Sequence, residues 1–315
     1  MSKSIIGFSR WKSKRRNSWA FLVFKNQYTE IVKMHLSQRV AHKYLDHKLK
    51  NEGKSVYTQE ASEYFGDFAK NKRNEELFDS VEDWSNCFNI FTKWSDYSAI
   101  LALSGNFEIY IDKVVSLSVE SNIGLIKEFP AFTDGVNLKK IGNFEENISK
   151  IDKLVVGCVK GTWYQRIHKF ESIFNWKPKV LENKANIETL ETIRKIRNDT
   201  AHAFGRDIKL SRTSRGLEVK KLIEIDEKLL IAYFSLVNKL SKEIDLYLID
   251  NHIGEYHCLN FYRELRISCQ INLLDQSNYE IGLASEILRK EYGRYSSQPM
   301  GKNYYKELIR YYENL

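Results

Sequence analysis

IETLETIRKIRNDTAHAFGRD, residues 187–207, carries two patterns at once. Ile187, Leu190, Ile193 and Ile196 recur at three-residue steps, the stripe of an amphipathic helix, and Gly205 supplies a stop just beyond them. Into the last turn of that helix the chain packs an arginine, an amide, a carboxylate and a histidine: Arg197, Asn198, Asp199 and His202. Asn198 and His202 lie one turn apart on one face, with Arg197 a step of about 100° away, so the three line a polar edge beside the apolar stripe. Such groups can serve a helix end, because Arg and His meet the negative pole of the macrodipole and bond its orphan carbonyls. They can also serve chemistry. A guanidinium is a planar fork matched to phosphate oxygens, and an imidazole with an unperturbed pKa of about 6.5 gives or takes a proton near neutrality. On side-chain physics alone the capping reading is the commoner one, and both stay open.

Outward from this stretch the chain reads as all-α. Residues 97–121, YSAILALSGNFEIYIDKVVSLSVES, place Ile100, Leu103, Phe107, Tyr110, Val114 and Leu117 at three- and four-residue steps, which predicts a helix, although its β-branched end also suits a strand. GTWYQRIHKFESIFNW aligns Trp163, Ile167, Phe170 and Phe174 on one face, and Lys177–Pro178 ends it. Asp226 has the place of an N-cap, followed by Leu229, Tyr233, Leu236, Val237, Leu240, Ile244, Tyr247 and Leu248 at helical spacing through residue 249. A further helix is expected around TEIVKMHLSQRVAHKYLDHKLK (29–50), and the tyrosine-rich tail from about 251 is expected to be helical. With 3 prolines and 15 glycines among 315 residues, long regular elements are favoured over a turn-rich sandwich.

The four cysteines, Cys87, Cys158, Cys258 and Cys269, are widely separated and form no Cys-x-x-Cys pair, which argues against a zinc ribbon or a disulfide scaffold and for reduced thiols in cytoplasm. No apolar leader precedes the basic run of MSKSIIGFSRWKSKRR, and the best apolar run, LLIAYFSLV (229–237), is short of the ~20 residues that cross a bilayer. A soluble, cytoplasmic protein without membrane contact is expected.

Charge is uneven. Residues 1–50 hold twelve Lys or Arg against Glu30 and Asp46, a net of +10, which leaves the rest of the chain at −2 of the total of +8. A second concentration, Arg194 to Lys221, sets nine basic residues against Asp199, Asp207 and Glu218, a net of +6 around the opening motif. Basic density beside a candidate site suits a polyanion, since neutralising phosphates releases condensed counterions; a solvated helix face is the alternative.

The string RNDTAH (197–202) resembles the Arg, four residues, His signature of HEPN (higher eukaryotes and prokaryotes nucleotide-binding) domains, helical bundles in which Asn often follows the Arg, as Asn198 does here. The resemblance extends to the order of the helices around the motif and covers residues 94–250. It divides the chain into a basic, aromatic N-terminal region (1–93), a HEPN-like helical bundle (94–250) and a C-terminal helical region (251–315). It implies a metal-independent endoribonuclease that needs no cofactor, acts in a cleft between two copies, and serves as a toxin, abortive-infection or antiphage effector, with a regulatory partner or antitoxin. Arg197 and His202 are then the catalytic pair and Asn198 and Asp199 support them. Arg194, Arg206, Lys209, Arg212 and Arg215 are candidate contacts to the RNA backbone. A catalytically inactive HEPN module that binds RNA or a protein, and a helical scaffold whose motif is a cap, are the competing readings. One departure stands out. In HEPN toxins controlled by a nucleotidyltransferase antitoxin, a modifiable tyrosine follows the histidine after one residue, whereas Phe204 here has no hydroxyl.

Other constellations read as structural. His35, His42, His47 and Asp46 are irregularly spaced and suit a solvated basic helix rather than a metal site. His257 and Cys258, adjacent in sequence, point apart on a helix. Tyr304, Tyr305, Tyr311 and Tyr312 suit packing better than base stacking.

Overall fold

The computed structural model describes residues 8–71, 75–203, 224–294 and 300–315, with backbone alone at 201–203. Among these residues the regular elements are helices: eleven α-helices, short 3-10 turns and one π turn, with two isolated bridges in place of any sheet. The fold is all-α. In chain order the α-helices are α1 (Trp19–Glu52), α2 (Ala61–Phe65), α3 (Val81–Ser121), α4 (Gly135–Ile141), α5 (Ile148–Val159), α6 (Trp163–Phe174), α7 (Lys184–Ala203), α8 (Glu227–Leu248), α9 (Tyr256–Ile267), α10 (Asn278–Gly293) and α11 (Lys302–Glu313).

Local chemistry sets most of these ends. Ser18 starts α1 ten residues before the stretch expected from the sequence: its Oγ accepts the Phe21 N–H at 3.1 Å. At α3 the Ser80 Oγ accepts from Asp83 N at 3.1 Å, and from there the helix runs 41 residues, so that the expected 97–121 is only its second part. Thr162 and Gln165 form a reciprocal capping box on α6. That helix stops at Asn175, which adopts the left-handed conformation at φ 48°, ahead of Lys177–Pro178. Asp226 caps α8 as expected, its Oδ1 accepting Lys228 N–H at 2.9 Å.

The described chain divides into two compact units, one drawn from the described parts of Met1–Val23, Ile109–Lys179 and Leu240–Leu315, the other from Phe24–Glu108 and Val180–Lys239. In the second unit, segments of α1, α3, α7 and α8 enclose Phe24, Ile100, Leu103, Phe107, Leu190, Ile193, Leu230 and Val237, all nearly inaccessible to water. Three buried or half-buried polar side chains between these helices are paired, which offsets the cost of their burial. Ser104 Oγ meets the Tyr233 hydroxyl at 2.8 Å, Asn106 Nδ2 donates to Phe24 O at 3.1 Å, and Tyr28 OH donates to Phe234 O at 3.1 Å.

The first unit packs α5 on α6 and α9, α10 and α11 on one another. Its core is aromatic: Tyr110, Tyr256, Tyr262, Tyr292 and Tyr305 are fully buried, and Tyr304 and Tyr312 nearly so, in line with the packing role expected for the tail tyrosines. Here the basic N-terminal stretch is bolted down. Arg10 is 3% exposed and donates to Ile253 O and Ser121 Oγ, each at 2.8 Å, and to Asp134 Oδ1 at 3.2 Å. Arg15 donates to Cys258 Sγ at 3.2 Å, and Ser18 N–H to the buried Asp245 carboxylate at 3.0 Å. Among the described residues, no helix is long and apolar enough to cross a membrane.

Candidate functional site

The last turns of α7 lie in the second unit and sort their side chains by helical angle. Ile193 and Thr200 face inward, at 1% exposure each, and Thr200 Oγ1 bonds back to Ile196 O at 2.7 Å. Arg197 and Asn198 occupy the half-buried edge, and Asp199 is exposed. The helix continues through Ala203, so His202 stands on helical backbone one turn after Asn198. The His202 side chain lies outside the described residues, as do Phe204, Gly205, Arg206, Lys209, Arg212 and Arg215.

Arg197 is held by two side chains. Its Nη2 donates to Glu108 Oε2 on α3 at 2.8 Å, and its Nη1 donates to Asn198 Oδ1 at 3.1 Å. With 34% of the Arg197 side chain and 21% of the Glu108 side chain exposed, the pair sits at the surface rather than in the core. A guanidinium has five N–H donors, and these contacts use two. Both described bonds go to side chains, which anchor the guanidinium at the edge of α7. Two neighbours on fixed helices hold the fork in one orientation, the condition under which an arginine can meet a phosphate in a defined geometry.

Arg194, one turn back, is engaged differently. Its guanidinium takes Glu191 on the same helix in a fork, with contacts of 2.6, 3.0 and 3.1 Å, and this hydrogen bonding favours its charged form. As a backbone contact for RNA it would have to exchange a carboxylate already in place. Asp199 faces solvent, and its charge, after burial, helps raise the pKa of Tyr97 on α3.

Glu108 was not singled out by the sequence. The available signal was that it is the one charged residue in 97–111, an acid set in an otherwise apolar and small-residue helix. A second polar group in the same unit was also missed, and it corrects the solvated-helix expectation for His35. His35 on α1 is 6% exposed and Asp96 on α3 is 3% exposed. The imidazole Nδ1 stands 3.7 Å from Asp96 Oδ1, while Arg39 Nη2 donates to Asp96 Oδ2 at 2.8 Å. Burial pushes the Asp96 carboxyl up against the opposing pull of Arg39, and burial together with Arg39 pushes His35 down. His42, by contrast, is at the surface, stacked on Phe88 with ring centroids 5.4 Å apart.

Tyr256, His257 and Cys258 are buried in α9, with the thiol taken by Arg15 and pushed up to about 11, chiefly by burial. A thiol so protonated is a poor nucleophile. Among the described residues no group of three or more His, Cys, Asp or Glu side chains is placed to hold a metal ion. Comparison of the chain with protein-family models, with curated proteins and with solved structures finds no match.

Proposed function

We propose that this chain is a metal-independent endoribonuclease of the HEPN type, acting as a dimer in which Arg197 and His202 line a shared cleft. The observation that carries the reading is the fixed Arg197: a guanidinium held by Glu108 and Asn198 on the half-exposed edge of α7, on the helix that also carries His202. The RNA 2′-oxygen attacks the adjacent phosphorus, its proton passes to a histidine, and the bond from phosphorus to the 5′-oxygen breaks as that oxygen takes a proton. The products are a 2′,3′-cyclic phosphate and a 5′-hydroxyl. Arg197 stabilises the charge on the phosphorane, and His202 of one copy or the other serves as base or acid, a role worth about 10²- to 10⁴-fold. A toxin or antiphage role, with a regulatory protein partner, follows from the resemblance of RNDTAH and from nothing more local.

The test is incubation of wild type and His202→Ala with total RNA and with single-stranded DNA in EDTA, followed by end-group analysis. Cleavage of RNA alone, to cyclic phosphate ends, by wild type alone is the expected result. The second reading, an inactive module that binds RNA without cutting it, is favoured by one observation: the Arg197 fork already carries a carboxylate, which competes with phosphate. RNA that binds in a salt-sensitive manner and stays intact at every protein concentration would select that reading.

A further inference from the structure

A cleft of about 370 Å³ opens in the first unit where the loop after α3 meets α5 and α6. Lys127, Lys150, Lys153 and Lys169 line it against a single carboxylate, Glu128, which is paired with Lys150. Four ammonium groups and one carboxylate leave a net charge of +3 around one small volume. Among the described residues Lys127, Lys153 and Lys169 form no ion pair. The floor is apolar, supplied by Leu154 and Ile173.

Two glycines build this arrangement. Gly157 lies inside α5, where glycine is less favourable than alanine. A β-carbon there would stand 2.7 Å from Lys169 Cγ, so the missing side chain is what lets the Lys169 stem cross α5. At Gly124 a β-carbon would stand 2.4 Å from Pro130 O. The close approach folds the loop back on itself, with Ile123 N–H donating to Thr133 O at 3.0 Å and Phe129 N–H to Ile126 O at 3.0 Å, and this fixes the backbone that carries Lys127 and Glu128.

We propose that this cleft binds a small organic phosphate with two or more negative charges and one apolar face, about the size of a nucleoside diphosphate. Like-signed charges from three elements around a concave site focus their field on an anion. Lysine ammonium groups meet phosphate oxygens as point charges, while the apolar floor takes a ring or chain. The volume lies at the lower end of the ~300–1,000 Å³ range of small-molecule sites, too little for a run of several nucleotides. The inference stands on residues of the first unit and does not depend on ribonuclease activity.

The experiment is calorimetric titration of the full chain with ADP, inorganic pyrophosphate, adenosine and a short single-stranded RNA. ADP is expected to bind, with pyrophosphate and adenosine each at least tenfold weaker. Lys127→Ala/Lys153→Ala, both exposed side chains, is expected to weaken ADP at least tenfold at unchanged melting temperature, and Gly157→Ala to weaken it by misplacing Lys169. No heat with ADP at millimolar concentration, or undiminished affinity in the double variant, overturns the proposal. So does displacement of ADP by the RNA at equal phosphate concentration, which would assign the cleft to a polynucleotide backbone.

Discussion

Glu108 and Arg197 meet at 2.8 Å, but their worth is geometric. A partly exposed ion pair contributes about 0–1 kcal/mol to stability, so removing the charge of Glu108 should hardly move the melting temperature. On the proposed ribonuclease reading its effect falls on turnover: with Glu108→Gln, RNA cleavage is expected to drop by up to about 10²-fold at an unchanged fold, the loss that misplacement of a catalytic group produces. Equal turnover in Glu108→Gln would remove the positioning role. Titration of buried groups offers a second residue-scale test. Burial pushes His252 down to about 4 and His257, which also feels Arg15 and Arg10, down to about 3. Both histidines fold neutral, so each stabilises the fold fully above its unfolded pKa of about 6.5, and that contribution is lost as pH falls toward the folded value. Asp245 works the other way. Its carboxyl is pushed up to about 6 by burial, so its stabilising contribution is full below about 4 and lost as pH rises through 6. For these three groups together the two histidines outweigh Asp245, and stability is expected to fall between pH 6.5 and 4. His257→Phe, in a site already lined by the Trp19 ring, should flatten the melting temperature over that range.

At the scale of elements, capping makes the clearest prediction. Thr162→Ala removes the half of the α6 capping box in which Thr162 Oγ1 accepts the Gln165 N–H, leaves the Thr162 N–H on Gln165 Oε1, and should lower stability by about 1 kcal/mol in thermal melts followed by circular dichroism. How far the elements could be read from sequence depended on contrast between faces. The stripe of α8 and the Asp226 cap were legible because polar and apolar positions alternate at the helical period. The first part of α3 was not, because its aromatic residues stand on the surface: Phe91 and Trp94 are 46% and 43% exposed, and Trp84, Phe88, Phe91 and Trp94 stack on one another along the helix. A stripe of that kind marks no core. The site was legible only as far as one helix carries it. Arg197, Asn198 and His202 share a local period, but Glu108 joins Arg197 across 89 residues and Asp96 joins Arg39 across 57, distances over which no pattern in one sequence points. For the same reason the N-terminal charge count gave no hint that Arg10 and Arg15 bond to acceptors far along the chain.

At the scale of the molecule, both units are assembled from separated segments. The second unit needs Phe24 from α1 beside Phe107 of α3, with ring centroids 6.0 Å apart, and the first needs Arg10 beside Asp134 and Ile253. A fragment spanning residues 94–250 lacks α1 and the tail helices and strips both cores. Expressed alone, it is expected to aggregate or to show low helicity and no cooperative melt, whereas the full chain should melt cooperatively. A well-folded, dispersed fragment would show that the remaining helices repack without those partners.

Residues 8–18 also set a schedule for synthesis. They leave the ribosome long before their acceptors: Arg10 waits 243 residues for the Ile253 carbonyl, and Arg15 waits the same 243 for Cys258. Until Asp245, Ile253 and Cys258 have emerged, the seats of Ser18, Arg10 and Arg15 are incomplete, and late pairings of this kind are the ones that slow folding and leave a nascent chain exposed to aggregation. A premature stop before residue 245 therefore removes the Asp245, Ile253 and Cys258 acceptors of residues 10–18, and faster proteolysis than that of the full chain is its expected fate.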